Sequence, residues 1–179
     1  GTYVIHHSFG GPCPAEAQTT VVIDRFMNPS WTPPASMCEN GQALELSELI
    51  TGDHGGTWSG SGVADQLFDP QVAVGENTLT YQIGTGACIR SMTGTIIVLP
   101  TPVANAGPDT AICDLSHTQV AVLTDGQGIW SAPIALTLSD PSLPNTVVSA
   151  VVAGSYDLVW TVSQAGCIAT DTMHLVLHN

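Results

Sequence analysis

Gly154-Ser155-Tyr156-Asp157-Leu158-Val159-Trp160, closed by Cys167 13 residues after its glycine, is one of three versions of a single pattern. Gly75-Glu76-Asn77-Thr78-Leu79-Thr80-Tyr81 leads to Cys88 over 13 residues, and Gly1-Thr2-Tyr3-Val4-Ile5 leads to Cys13 over 12. Each cysteine is followed by an alternating apolar run: Thr19–Ile23, Thr95–Leu99 and His174–Leu177. A second set of landmarks occurs twice. Cys38 and Cys113 lie 15 and 14 residues past such a run, and after them come Gly56-Thr57-Trp58-Ser59 and Gly128-Ile129-Trp130-Ser131. Then follow Leu67-Phe68-Asp69-Pro70 and Leu138-Ser139-Asp140-Pro141. The spacing is 75 residues from Cys38 to Cys113 and from Cys13 to Cys88, and 79 from Cys88 to Cys167. Four kinds of landmark in one order define a repeat, and repeats decide an architecture before local structure does.

Within a repeat the periodicity is two. Leu79, Tyr81 and Ile83 alternate with Thr80 and Gln82; Tyr156, Leu158, Trp160 and Val162 alternate likewise, as do Tyr3, Ile5, His7 and Phe9. That is the mark of strands with one buried face. Gly84-Thr85-Gly86, Gln164-Ala165-Gly166 and Gly60-Ser61-Gly62 read as turns, with glycine supplying positive φ. The one helix-compatible stretch, Leu44–Leu49, fits a strand equally well. Short strands, about 75 residues per unit and a tryptophan between two cysteines predict immunoglobulin-like β-sandwiches. The expected organisation is all-β: a C-terminal hairpin of a truncated repeat over 1–24, then Ig-like domains over 25–100 and 101–179. Proline-rich joins at Asn28–Pro34 and Pro100–Pro102 would stiffen the series into a rod.

Composition narrows the chemistry. The 179 residues carry 15 Asp+Glu against 2 Lys+Arg, a formal net charge of -13, and both cations are arginines, Arg25 and Arg90. Nucleic acid is excluded as a partner, because phosphate backbones are bound through Lys and Arg. The absence of lysine excludes Schiff bases, a P-loop lysine and a Lys–Asn isopeptide bond. No apolar stretch is long enough to span a membrane. Gly1–Ile5 reads as strand and not as a signal peptide, which suggests a mature fragment or a window from a longer array.

The cysteine order suggests pairing within each repeat, Cys38 with Cys88 and Cys113 with Cys167, leaving Cys13 unpaired; five reduced core cysteines are the alternative. Trp58 and Trp130 are expected in the cores, and Trp31, in a join, between domains. No Cys/His set has metal-ligand spacing. His6 and His7 point to opposite faces, and His54, His117, His174 and His178 are solvated or structural. Ser59 and Ser61 lack the flanking glycines of a nucleophile elbow. No catalytic or cofactor-binding residue emerges. The cofactor expectation is none, with Ca²⁺ held by Asp53, Asp65 and Asp69, or by Asp109, Asp114 and Asp125, as the alternative.

Asn105-Ala106-Gly107-Pro108-Asp109-Thr110-Ala111-Ile112-Cys113, with Gly56–Gly62 and the closing Gly-Cys hairpin, resembles the Ig-like/PKD-like repeats of large secreted surface proteins of Bacteroidetes-type bacteria, found in adhesins and extracellular filaments. The resemblance covers the whole chain, though Asn28-Pro29-Ser30-Trp31 replaces the Ala-Gly-Pro-Asp signature in the earlier repeat. It implies an extracellular or cell-surface location and O-glycosylation at Thr110 and Thr172, each preceded by aspartate and followed by an apolar residue. The expected role is a structural segment of a filament, stalk or surface fibre, self-associating with neighbouring repeats or subunits. Lysine-free sheet edges leave such association unblocked. The alternatives are an adhesin module that binds glycans or surface proteins through its loops, and an accessory domain of a secreted enzyme. The leading hairpin fits either a window from an array or strand donation to a neighbouring chain; the window is preferred, since the visible repeats have their own hairpins.

Overall fold

The computed structural model describes residues 1–179. By its internal contacts the chain divides into two compact units, one formed by Gly1–Pro34, Leu44–Phe68 and Thr78–Thr95, the other by Ala35–Ala43, Asp69–Asn77 and Ile96–Asn179. Regular structure is almost entirely strand. In chain order these are β1 (Thr2–Phe9), β2 (Ala15–Val22), β3 (Met37–Cys38), β4 (Leu44–Glu45), β5 (Thr57–Gly60), β6 (Val63–Ala64), β7 (Leu67–Phe68), β8 (Gly75–Ile83) and β9 (Arg90–Leu99). They continue as β10 (Thr110–Ile112), β11 (Ser116–Thr118), β12 (Gln127–Ser131), β13 (Leu136–Leu138), β14 (Val147–Ala150), β15 (Gly154–Gln164) and β16 (Cys167–Leu177). The helix-compatible stretch supplies the short strand β4 and one 3-10 turn, Leu46–Leu49, whose Leu46 is buried.

One seven-strand pattern occurs twice. A four-stranded sheet of order β3-β9-β8-β5 accompanies a three-stranded sheet β4-β7-β6, and β10-β16-β15-β12 accompanies β11-β14-β13. In both, the first strand runs parallel to the last, β3 with β9 and β10 with β16. Four plus three short strands, mainly antiparallel, constitute the immunoglobulin-like sandwich. In the second unit its core joins Trp130, Leu158, Trp160, Met173, Leu175 and Leu177 of the larger sheet to Leu136 and Val148 of the smaller. Leu158, Trp160 and Val162 point inward because they are every second residue of β15. The β15–β16 hairpin turns at Ala165 and Gly166, both with positive φ (49° and 90°). That is the geometry whose twist matches two antiparallel strands.

In the first unit Trp31, Leu46, Trp58, Phe68, Leu79, Tyr81 and Ile83 are buried. Trp31 corrects an expectation. It does not serve a join: its backbone bridges to Ile50, its Nε1 donates to the Met92 carbonyl at 3.2 Å, and its ring stands edge-on to Trp58 with centroids 4.9 Å apart. Gly94 leaves room for it, since a Cβ there would lie 2.7 Å from the indole. The Asn28–Trp31 segment is likewise fixed, because Thr51 and Gly52 donate to the Ser30 carbonyl and Asp53 to that of Asn28.

β1 and β2 pair in register from Thr2↔Val22 to Phe9↔Ala15, and all their residues are exposed. Tyr3, Ile5 and Phe9 form one face of this two-stranded sheet, at 52–64% exposure. Such a hairpin is marginal in water without a third strand or a packing partner.

The glycine of each Gly-x-Trp-Ser motif has a packing role. Trp58 is paired in register with Tyr81, and Trp130 with Trp160; the centroids are 4.8 and 5.1 Å apart. A Cβ on Gly56 would come 2.8 Å from the Tyr81 ring, and one on Gly128 would come 2.0 Å from the Trp160 ring. Gly128→Ala is therefore expected to destabilise the second unit by about 1–3 kcal/mol through overpacking. Gly166→Ala, where a Cβ meets nothing, should cost only its positive-φ strain. Thermal melts of the two variants followed by tryptophan fluorescence check the contrast.

Candidate functional site

The second unit holds a disulfide, Cys38–Cys167, joining residues 129 apart with Cα atoms at 5.6 Å. Cys13, Cys88 and Cys113 are free thiols. The pairings expected within each repeat, Cys38–Cys88 and Cys113–Cys167, are thus corrected, and strand length gives the reason. Cys113 directly follows β10, whose Ile112 lies beside Leu177. Cys167 opens the same 11-residue strand β16 that Leu177 ends. At about 3.3 Å per residue the two cysteines of this repeat are held roughly 30 Å apart, whereas a disulfide needs Cα atoms within about 7 Å. The earlier repeat has the same construction. Cys38 pairs with Leu99 at the end of the 10-residue strand β9, and Cys88 lies before its start.

The bonded pair sits in a small polar setting. Asn40 Nδ2 donates to the Ile168 carbonyl at 3.2 Å, and Glu39 Oε2 accepts from the Thr101 amide at 3.1 Å. Cys167 is buried, while its counterparts are half-buried (Cys88) or exposed (Cys13). Sequence reasoning missed Glu39 and Asn40. The legible signal was the acid that follows each first-strand cysteine, Cys38-Glu39 and Cys113-Asp114.

The aspartates considered as calcium ligands do not converge. No group of three or more His, Cys, Asp or Glu is placed to hold a metal ion. Asp53 accepts from the Arg25 guanidinium at 2.7 Å and from the Asn28 amide at 2.8 Å. Asp69 accepts from the Gln71 amide and Asp114 from the Ser116 amide. Asp65 lies between β6 and β7 with φ 56°; Asp125 lies in the loop before β12. Asp109 Oδ1 accepts from the His174 amide and Asp171 Oδ2 from the Ala106 amide, each at 2.8 Å. These two aspartates fasten the segment leading into β10 to β16, ahead of the β10–β16 pairing. They also precede Thr110, half-buried at the start of β10, and Thr172, exposed on β16.

Among the histidines only His174 has a side-chain acid partner, its Nδ1 lying 2.7 Å from Asp157 Oδ1. Asp53 is held below the ordinary carboxylate range by hydrogen bonds from the Asn28 amide and Arg25. Asp140 is held there by the Ser142 hydroxyl and amide. A surface depression of about 450 Å³ is lined by Leu123, Gln127, Ile129, Ser142 and Ser163 among others, none of them ionisable. No helix is long and apolar enough to cross a membrane.

These features define a disulfide-containing, all-β protein of immunoglobulin-like fold. No family model matches the chain, and no curated protein matches it. Solved structures do. A SusE-like surface-located polysaccharide-binding protein from the Bacteroides thetaiotaomicron heparin utilisation locus is 10% identical with a TM-score of 0.36, over 80% of this chain and 32% of that one. A three-Ig segment of titin is 12% identical with a TM-score of 0.36, over 85% and 65%. An endo-fucoidan hydrolase of glycoside hydrolase family 107 is 15% identical with a TM-score of 0.28, over 99% and 34%. The chain thus spans about a third of the polysaccharide-binding protein and of the hydrolase. Likenesses at this level carry no functional argument.

Three outcomes are expected. Cys38→Ser should lower stability by about 2–5 kcal/mol, as loss of a native disulfide does, while Cys113→Ser leaves the melting temperature unchanged. Asp171→Ala should cost about 1–3 kcal/mol by stranding the Ala106 amide, read by urea unfolding. Asp53 and Asp140 have lowered pKa values, so each contributes stability that is complete above the ordinary carboxylate range and lost as pH falls through its lowered value. The fall in melting temperature on acidification should therefore be shallower in Asp53→Asn/Asp140→Asn than in the parent.

Proposed function

We propose that this chain is a load-bearing segment of an extracellular fibre, stalk or filament built from Ig-like repeats, and not an enzyme. The observation that carries the reading is the Cys38–Cys167 bond: Cys38 belongs to one sequence repeat and Cys167 to the next. A covalent tie from repeat to repeat resists separation, which a reaction centre does not require. Disulfides persist in oxidising surroundings, which supports a location outside the cytosol. The domains of the proposal are Ig-like units over 25–100 and 101–179, preceded by the closing hairpin of another repeat over 1–24. Tyr3, Ile5 and Phe9 stand where β15 places Tyr156, Leu158 and Val162. Thr110 and Thr172 are proposed O-glycan acceptors; Thr172, exposed on β16, is open to modification in the folded chain.

Electron microscopy of native material tests the role: extended or polymeric fibres are expected, and compact particles would refute it. Intact mass before and after chemical deglycosylation tests the glycans, with loss of mass expected at the peptides containing Thr110 and Thr172.

A further inference from the structure

The repeat arithmetic and the single disulfide together account for the three free thiols. Each repeat places one cysteine at the end of its first strand (Cys38) or directly after it (Cys113), and one in its closing hairpin (Cys13, Cys88, Cys167). These positions lie at opposite ends of one long strand, so they cannot meet within a repeat. The one bond observed joins the first-strand cysteine of a repeat to the hairpin cysteine of the repeat that follows it. Applied along the series, that rule gives Cys113 a partner in the hairpin of a repeat after its own. It gives Cys88 and Cys13 partners after the first strands of repeats before their own. No second repeat-to-repeat pair can be made from the five cysteines of this chain, and none is present. We propose that Cys13, Cys88 and Cys113 are half-cystines of a continuous disulfide ladder, each bonding a cysteine of an adjacent repeat of this same kind.

Local sequence supports the equivalence. Cys88 and Cys167 are both followed by isoleucine after a glycine-bearing turn, and Cys38 and Cys113 are both followed by an acid. The exposure of Cys113 and the half-exposure of Cys88 leave both sulfurs accessible to a partner. Each bond forms as two thiols pass two electrons and two protons to a small-molecule disulfide such as oxidised glutathione, which leaves as two molecules of thiol. The proposal deepens the fibre reading and rests on its repeats. Its test is a mass measurement whose result does not depend on whether fibres are seen by microscopy.

The experiment appends a second copy of residues 101–179 directly after Asn179, with Thr170→Ser in the appended copy as a mass label, and refolds the chain in a glutathione redox buffer. Alkylation and non-reducing peptide mapping then assign the bonds. The expected result is two cystines: Cys38 bonded to the unlabelled Cys167 peptide, and Cys113 of the original repeat bonded to the labelled one. The unextended chain treated in parallel should give the Cys38 bond alone, with three alkylated thiols. Free Cys113 in the extended chain would overturn the proposal, as would Cys113 bonded to Cys167 of its own repeat. If the extended chain fails to fold, the protein from its native source, alkylated before denaturation, gives the same reading: Cys88 and Cys113 as cystines with peptides outside residues 1–179 support the ladder, and as thiols they sink it.

Discussion

A disulfide spans less than about 7 Å between Cα atoms, and the last strand of each sandwich keeps the two cysteines of a repeat several times farther apart. That mismatch governs the covalent organisation of this chain. The first strand runs parallel to the last and beside its far end, so the cysteine at its end emerges opposite the hairpin. Neither cysteine of a repeat can therefore bond the other. The bond between Cys38 and Cys167 is the consequence.

The same long hairpins organise the packing. β15 and β16 carry six of the fully buried side chains of the second core, and the indole pair Trp130–Trp160 fills its centre. Two large rings in register across a strand pair need space on the diagonal, and Gly128 supplies it; Gly56 does the same for Trp58 and Tyr81. Trp58 and Trp130 are thus core residues with a requirement on their neighbours, which explains why the motif is Gly-x-Trp and not tryptophan alone. Charge contributes little. Of the two arginines only Arg25 finds a carboxylate, and seven of the 15 acids receive a backbone amide.

Strands, turns and the buried tryptophans were legible because they are local: period-two alternation and glycine turns are written within ten residues. The cysteine pairing was not, because chain order suggests the nearest partner while the end of the sandwich at which a residue emerges depends on whether first and last strands run parallel. The hairpin cysteine and the strand that follows it, read as a length in ångströms, would have excluded pairing within a repeat. Trp31 departs from its expected place in a join for a related reason. Prolines on either side mark a join, but its backbone bridge to Ile50 turns the ring inward, onto Trp58. The roles of Asp109 and Asp171 depend on which backbone amides lie opposite, and no spacing encodes that.

The strand directions bear on mechanics as well as on cysteines. The chain enters the second sandwich along the Ala106–Ile112 segment and leaves it at the end of β16, and the two run parallel in contact. Tension between entry and exit therefore acts along these strands and loads the hydrogen bonds between them sideways, several at once. An antiparallel hairpin pulled from its open end would present them one at a time. The carboxylates of Asp109 and Asp171 extend that bonded region beyond the three residues of β10, using acceptor groups stronger than neutral carbonyls. Unlike surface ion pairs, a carboxylate bonded to a backbone amide keeps the direction of its bond fixed by the strand. In a chain without lysine it supplies a clamp that needs no partner cation.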